Sequence, residues 1–340
     1  MTHLDALLSY LSVSSPHVRL HVLLTGVQTD VLALVADAVE IAATALYLLG
    51  VRRLRKRGHR WPSSAAFSFA AAMFVLWVAI GSGLAAYDTV NVQVHVVQHV
   101  LLMMVVAPLV ALSKPVTLAS QAARRRTQVR LLKVVHSRVM AVLTFPVLTW
   151  FLYYGTMYAF FTDRTIYDYA VNNSLFHDGS HVVFLIIGLL YWQPLLGADP
   201  TRWRLPYAAR VLVVFLGMPF EAFLGIYLDM TSRSIDPINT LAATHTAGQT
   251  FWVLAMAATA ISIGVIAIQW YRQLQRQTPR EDRMAEAEAA QSLVKAAALG
   301  VTPDREGWTV PAWRLAQIER ERSMARNRAS GLGSPPPGGS

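Results

Sequence analysis

Apolar residues run along this chain in long blocks, and short charged stretches part them. Seven blocks, near 30–50, 66–87, 93–112, 139–161, 177–196, 207–228 and 243–270, are long enough to cross a hydrocarbon core. That core is about 30 Å thick and takes about 20 helical residues. In hydrocarbon a backbone must satisfy its own hydrogen bonds, so each block predicts a helix. The expected fold is an all-α integral membrane protein, a bundle of about seven transmembrane helices. Residues 1–10 carry no basic n-region and no small-residue cleavage site, so no cleavable signal is expected.

Composition sharpens this. The 340 residues are 54% hydrophobic and 15% charged, where a soluble domain carries about 25% charged residues. Nineteen of the 50 charged residues fall in the last 70 positions, which leaves the body too few to clothe a globule in water. A soluble enzyme of one or two domains is excluded. The absence of cysteine removes disulfide scaffolds, thiolate zinc sites and Cys-x-x-Cys motifs.

Charge between the blocks predicts orientation. One side receives Arg52, Arg53, Arg55, Lys56, Arg57 and Arg60, then Lys114, Arg124, Arg125, Arg126, Arg130, Lys133 and Arg138, then Arg202, Arg204 and Arg210. The stretch from Tyr271 onward adds eleven more, so 27 of the 30 basic residues share a side, against Arg19, Arg164 and Arg233. The positive-inside rule then puts the N-terminus outside and the C-terminus in the cytoplasm. Trp61, Trp192, Trp203 and Trp270 are expected in an interfacial belt at the cytoplasmic ends. The net charge of +10 is read as topology with some attraction to anionic lipid, not as a nucleic-acid footprint. Residues 1–27 are expected as an external segment, 28–270 as the membrane domain and 271–340 as a basic cytoplasmic tail. That tail reads as partly helical, over 278–299 and around 311–328, and disordered over 334–340.

The candidate chemistry is histidine. Ten histidines scattered at random would give about 0.3 pairs at the i,i+4 spacing of one helical face. The chain has three: His17/His21, His95/His99 and His177/His181. The last two lie in blocks that enter from outside, at similar depth, and His245 opens the seventh block at that level. Other polar residues share the layer: Asp37 and Glu40 on one face of the first block, Gln98 beside the His95/His99 pair, Asp178 beside His177, and Glu221 after Pro219. Met103 continues the run His95-x-x-x-His99-x-x-x-Met103. Imidazole with thioether and no thiolate suits copper, especially the cuprous ion, although zinc and haem iron also accept imidazole.

Each feature also has a plainer explanation. A lone intramembrane histidine is most often a hydrogen-bonded partner between helices, the preferred account of His245. Met103 taken alone is gap-filling core. Asp37, Glu40 and Glu221 read equally as a carboxylate rim drawing cations inward or as protonated packing contacts. His17 and His21 are expected on the outer surface, and His59 and His136 on the cytoplasmic side.

The stretch 95–115 (HVVQHVLLMMVVAPLVALSKP) resembles the H-x-x-Q-H-x-L-L-M…A-P…L-x-x-P signature of the CtaG-like cytochrome c oxidase assembly factors. In order, 45–62 (ALYLLGVRRLRKRGHRWP) resembles that family's first span and basic exit. Tyr167-Asp168-Tyr169-Ala170, with His177, His181 and the run GLLYWQPLLG, resembles its fifth-span region. Ala247-Gly248 with Phe251-Trp252 resembles its last span. The similarity covers about 28–270. The chain departs from the pattern in two places. It reads THTAG, with His245, where an acidic-Gln motif is expected ahead of Gly248, and Asp163-Arg164 where a His-Pro pair is expected before Tyr167.

The resemblance implies a non-enzymatic, multi-pass factor of a bacterial plasma membrane that helps copper reach the catalytic subunit of a haem–copper oxidase. On that reading His95, His99, His177 and His181 bind the metal transiently. Met103, His245, Gln98, Asp178, Glu221, Asp37 and Glu40 are then further ligands or supporting groups. An external copper donor, the catalytic subunit and the bilayer are the expected partners. The alternatives are a seven-span zinc hydrolase using His177, His181, His245 and Glu221, and a haem-binding electron carrier. An i,i+4 pair puts both imidazoles on one side of a helix, whereas a bis-histidine haem takes one from each facing helix. A di-iron oxygenase would need histidine-dense boxes facing the cytoplasm.

Overall fold

A computed structural model describes residues 26–27, 31–197, 199–203, 205–299 and 312–329. Apart from one isolated β-bridge, Val27 to Ser82, regular structure among them is helical. The first helix, α1 (Val31–Lys56), ends on Arg53, Arg55 and Lys56, cations placed where the helix dipole is negative. Gly58 at φ +79 closes it, with Gly58 N–H donating to Arg55 O and His59 N–H to Leu54 O. This turn needs the left-handed conformation that glycine adopts without a Cβ penalty.

Helix α2 (Ser63–Ile80) follows Pro62 and stops at Gly81. A turn over 82–91 leads to Asn91, whose side chain accepts from Gln93 and Val94 N–H and so caps α3. Helix α3 runs through three pieces, Val92–Val100, a π-helical stretch Leu101–Val106, and Ala107–Leu112. Pro108 has no N–H, and its ring would collide with the carbonyl four residues back; the widened turn ahead of it accommodates both. Then come α4 (Pro115–Ala122), α5 (Arg125–Val135), α6 (Arg138–Leu143), α7 (Pro146–Thr162), α8 (Arg164–Asn172), α9 (Ser174–Leu196), α10 (Tyr207–Met230), α11 (Leu241–Ala298) and α12 (Ala312–Ala329).

Among the described residues six helices are long and apolar enough to cross a membrane, where the apolar pattern predicts seven. The difference lies at 139–161. There the chain forms α6 and the 17-residue α7, with Phe145 extended between them. The residue before a proline avoids the helical region, so Pro146 ends one helix and starts the next.

The protein divides into two compact units, Met1–Ile268 and Gln269–Ser340. In the first, α3 is the central helix, with 67% of its apolar stretch buried against 17% for α1. One apolar cluster joins α3, α7, α8, α9, α10 and α11; a smaller one joins α1, α2 and α4 around Tyr47, which stacks on Phe69 at 3.8 Å. Phe67, Phe74, Ile41, Leu46, Phe151, Phe223 and Ile261 are exposed. That outward apolar surface belongs against lipid, not water. Trp192, expected at the interface, is instead buried and donates from Nε1 to Met103 O at 2.9 Å. In the second unit Lys295 pairs with Glu319 at 2.9 Å, both half exposed.

Candidate metal centre

Helices α3 and α9 run the same way, and their histidines meet rung by rung. His95 lies 5.0 Å from His177 and His99 5.3 Å from His181, centroid to centroid. Deeper in, Gly188 of α9 rests against Met103 O and the Ala107 side chain. A methyl group at Gly188 would press on both, so the missing side chain is what lets the helices approach. The i,i+4 spacing puts each pair on one face, and this packing turns the two faces toward each other.

All four imidazoles are buried, at 0% exposure for His95, 2% for His99, 4% for His177 and 3% for His181. Nitrogens of His95, His177 and His181 lie within 4.8 Å of one another. His95 Nε2 and His99 Nε2 are 2.8 Å apart, a hydrogen bond between one protonated and one bare nitrogen. Tyr167 OH sits 3.2 Å from His95 Nδ1. Phe160, Phe161 and Phe184 wall the cluster.

Five nitrogens in this box have no hydrogen-bond partner of suitable direction: His99 Nδ1 and both nitrogens of His177 and of His181. Leaving one buried polar group unpaired costs about 1–3 kcal/mol. Such an arrangement has the chemistry of a cation site, because a metal ion takes up several lone pairs at once. The donor set is imidazole, suited to copper or zinc. A carboxylate stands behind it. Asp88 Oδ2 is 3.0 Å from His177 Nε2, although not aligned as a hydrogen bond, and accepts from Gln98 Nε2 at 2.9 Å. Gln98 also donates to Ala79 O at 2.9 Å. An anionic group beside a ligating histidine orients the ring and raises its basicity.

The structure thus brings together His95, His99, His177 and His181, and makes Gln98 a supporting group. Met103, one turn beyond His99, is fully buried in the apolar core, and its backbone O accepts from Trp192 Nε1 of α9. The other candidates stand elsewhere. His245 Nε2 is bonded to Thr231 O at 2.9 Å, as expected of a hydrogen-bonded packing histidine. Glu221 sits with Thr259 and Tyr154, because α10 turns it toward α7 and α11. Asp37 and Glu40 stay on α1, where Asp37 Oδ1 approaches Gly81. Asp178 is half-buried on the flank of α9. His17 and His21 lie outside the described residues. The ligand set needed by the hydrolase alternative is therefore dispersed.

Asp88 and Tyr167 are the additions that sequence reasoning missed as site residues. Asp88 had one signal, being the sole acid in the 82–91 connection, at the level of the histidines. Tyr167 lay within a motif whose chemistry was not drawn out.

The profile of the cytochrome c oxidase caa3 assembly factor family matches residues 45–273, which include all four clustered histidines. An uncharacterized protein of Mycobacterium bovis is 30% identical over 269 residues, covering 74% of this chain and 40% of that protein. An uncharacterized protein of Mycobacterium tuberculosis matches to the same extent. One from Mycobacterium leprae is 32% identical over 272 residues, covering 73% of this chain and 41% of that protein. The chain spans about two fifths of the length of these relatives. No solved structure matches.

Proposed function

We propose, from the premise that this chain belongs to the cytochrome c oxidase caa3 assembly factor family, that it receives copper(I) on the four imidazoles and passes it to the oxidase's catalytic subunit. The observation that carries this reading is the buried layer of His95, His99, His177 and His181, with unpaired nitrogens and no cysteine in the chain. Copper is cargo here and not a resident cofactor. A site for cargo has to release it, and imidazoles from two separable helices suit release better than a closed cage of thiolates.

In this proposal the chain crosses the bacterial plasma membrane seven times, with α6 and α7 together making the fourth crossing. The N-terminus is outside and the tail in the cytoplasm. The 27 basic residues sharing a side support that orientation. The histidines then lie in the outer half, and transfer is lateral, helix against helix. Reporters active only outside should work after Tyr87 or Asp236 and fail after Gly58 or Arg280. The reverse at two of these sites sinks the orientation.

The functional test is deletion of the gene. Oxidase activity should be lost while the catalytic subunit is still translated, and added copper should restore part of it. Normal activity at limiting copper rejects the role. The purified protein should carry copper, without a haem Soret band and without stoichiometric zinc; zinc with ester or amide turnover would favour the hydrolase.

A further inference from the structure

We propose that Glu221 and the oxygens around it form a second polar centre, apart from the histidines, that holds one monovalent cation, either a proton or an alkali metal ion. Glu221 is 2% exposed. Thr259 Oγ1 of α11 lies 3.0 and 2.9 Å from its two carboxylate oxygens, and Tyr154 OH of α7 lies 3.3 Å from Oε1. Gly217 stands one turn before Glu221 on α10. Any side chain there would collide with the Tyr154 hydroxyl, so the glycine is the notch through which the phenol reaches the acid.

Two more hydroxyls adjoin. Tyr153 and Tyr191 stack at 4.2 Å, Tyr154 packs edge-on against both, and the hydroxyls of Tyr153 and Tyr191 are buried without a hydrogen-bond partner. Tyr154 from α7 and Thr259 from α11 reach the carboxylate, Tyr153 of α7 and Tyr191 of α9 pack against Tyr154, and none of these carries a positive charge. Among the described residues Glu221 has no ion pair.

A bare carboxylate in such surroundings is costly enough that it does not stay bare. One negative charge calls for one positive charge; a divalent ion would leave an excess as costly as the one it cancelled. The donors are all oxygen, which suits hard cations and not the soft ion that imidazole accepts. On α9, Tyr191 lies ten residues past His181, about 15 Å along the axis. The two centres are therefore separate, and the second does not depend on the copper reading.

The test uses the whole protein in lipid nanodiscs, melted while tryptophan fluorescence is followed. Sodium, potassium or lithium chloride replaces N-methylglucamine chloride at constant ionic strength, over a range of pH. An alkali-ion occupant raises Tm for one of these ions above the rest. A proton occupant makes Tm fall as pH rises, whichever salt is present, with a carboxylic-acid infrared band that Glu221→Gln removes. Glu221→Gln, neutral and of the same size, should lose that ion or pH response. Thr259→Val should shift its midpoint about tenfold, the effect of one hydrogen bond to a charged group. Identical responses in wild type and Glu221→Gln overturn the proposal. Should Glu221→Gln not fold, an unshifted midpoint in Thr259→Val overturns it.

Discussion

The histidine layer and the Glu221 layer are two buried polar centres in one bundle, and they differ in how their polar atoms are met. In the histidine layer five imidazole nitrogens lack a hydrogen bond, and a carboxylate, Asp88, stands beside one of them. In the Glu221 layer the carboxylate accepts hydrogen bonds from a threonine and a tyrosine, and the unpartnered atoms are hydroxyls on the adjacent tyrosines. The first arrangement has spare nitrogen lone pairs and an anion to balance a soft cation. The second has oxygen donors around one carboxyl group that makes no ion pair among the described residues. Burial is common to both, so burial alone does not say what a site is for; the donor atoms and the charge left over do.

The largest expected effect breaks the histidine layer. Replacing both His99 and His181 with Ala removes one ligand from each helix. It should abolish oxidase maturation while the protein remains in the membrane. His59→Ala and His136→Ala should behave as wild type. Oxidase activity of the complemented deletion strain is the measurement, and full activity in the double variant would reduce the imidazoles to packing.

A smaller effect should come from Asp88→Asn, which keeps the shape and removes the charge beside His177. Copper affinity, measured by competition with a chelator, should fall about 10- to 100-fold, as it does when a supporting carboxylate is lost. Unchanged affinity would make Asp88 only a knot tying the 82–91 turn to Gln98.

The smallest effect separates the layers. Gly217→Ala pushes the Tyr154 hydroxyl from its notch, and should cost about 1–3 kcal/mol of stability, the range for overpacking. Copper affinity should stay as in wild type, because the histidines sit on other helices. A parallel loss of affinity would show the two centres to be coupled.

Much of the fold was legible in the chain. Helical stretches, the basic turn after α1 and the shared faces of His95/His99 and His177/His181 all follow from short-range pattern. Pro146 was equally visible, but an apolar run averages over it, so the break between α6 and α7 was passed by. The π turn over Leu101–Val106 was not legible, because its cause, Pro108, acts on the helix ahead of it while the apolar pattern runs on unbroken. Trp192 looked interfacial by its place near a helix end, yet its indole N–H is taken by Met103 O across the bundle.

The sequence by itself determined that this is a helical, apolar chain with paired histidines on two helices and its positive charge gathered into a few connections. Those properties depend on residues a turn or two apart, and helix geometry is the same wherever the helix lies. Only the tertiary structure decided which polar groups meet. It put Asp88 beside His177, Tyr167 beside His95, and Glu221 with Tyr154 and Thr259 instead of with the imidazoles. The physical reason is separation along the chain. These partners lie 38 to 89 positions apart, and what joins them is which helix faces pack together, not any local spacing.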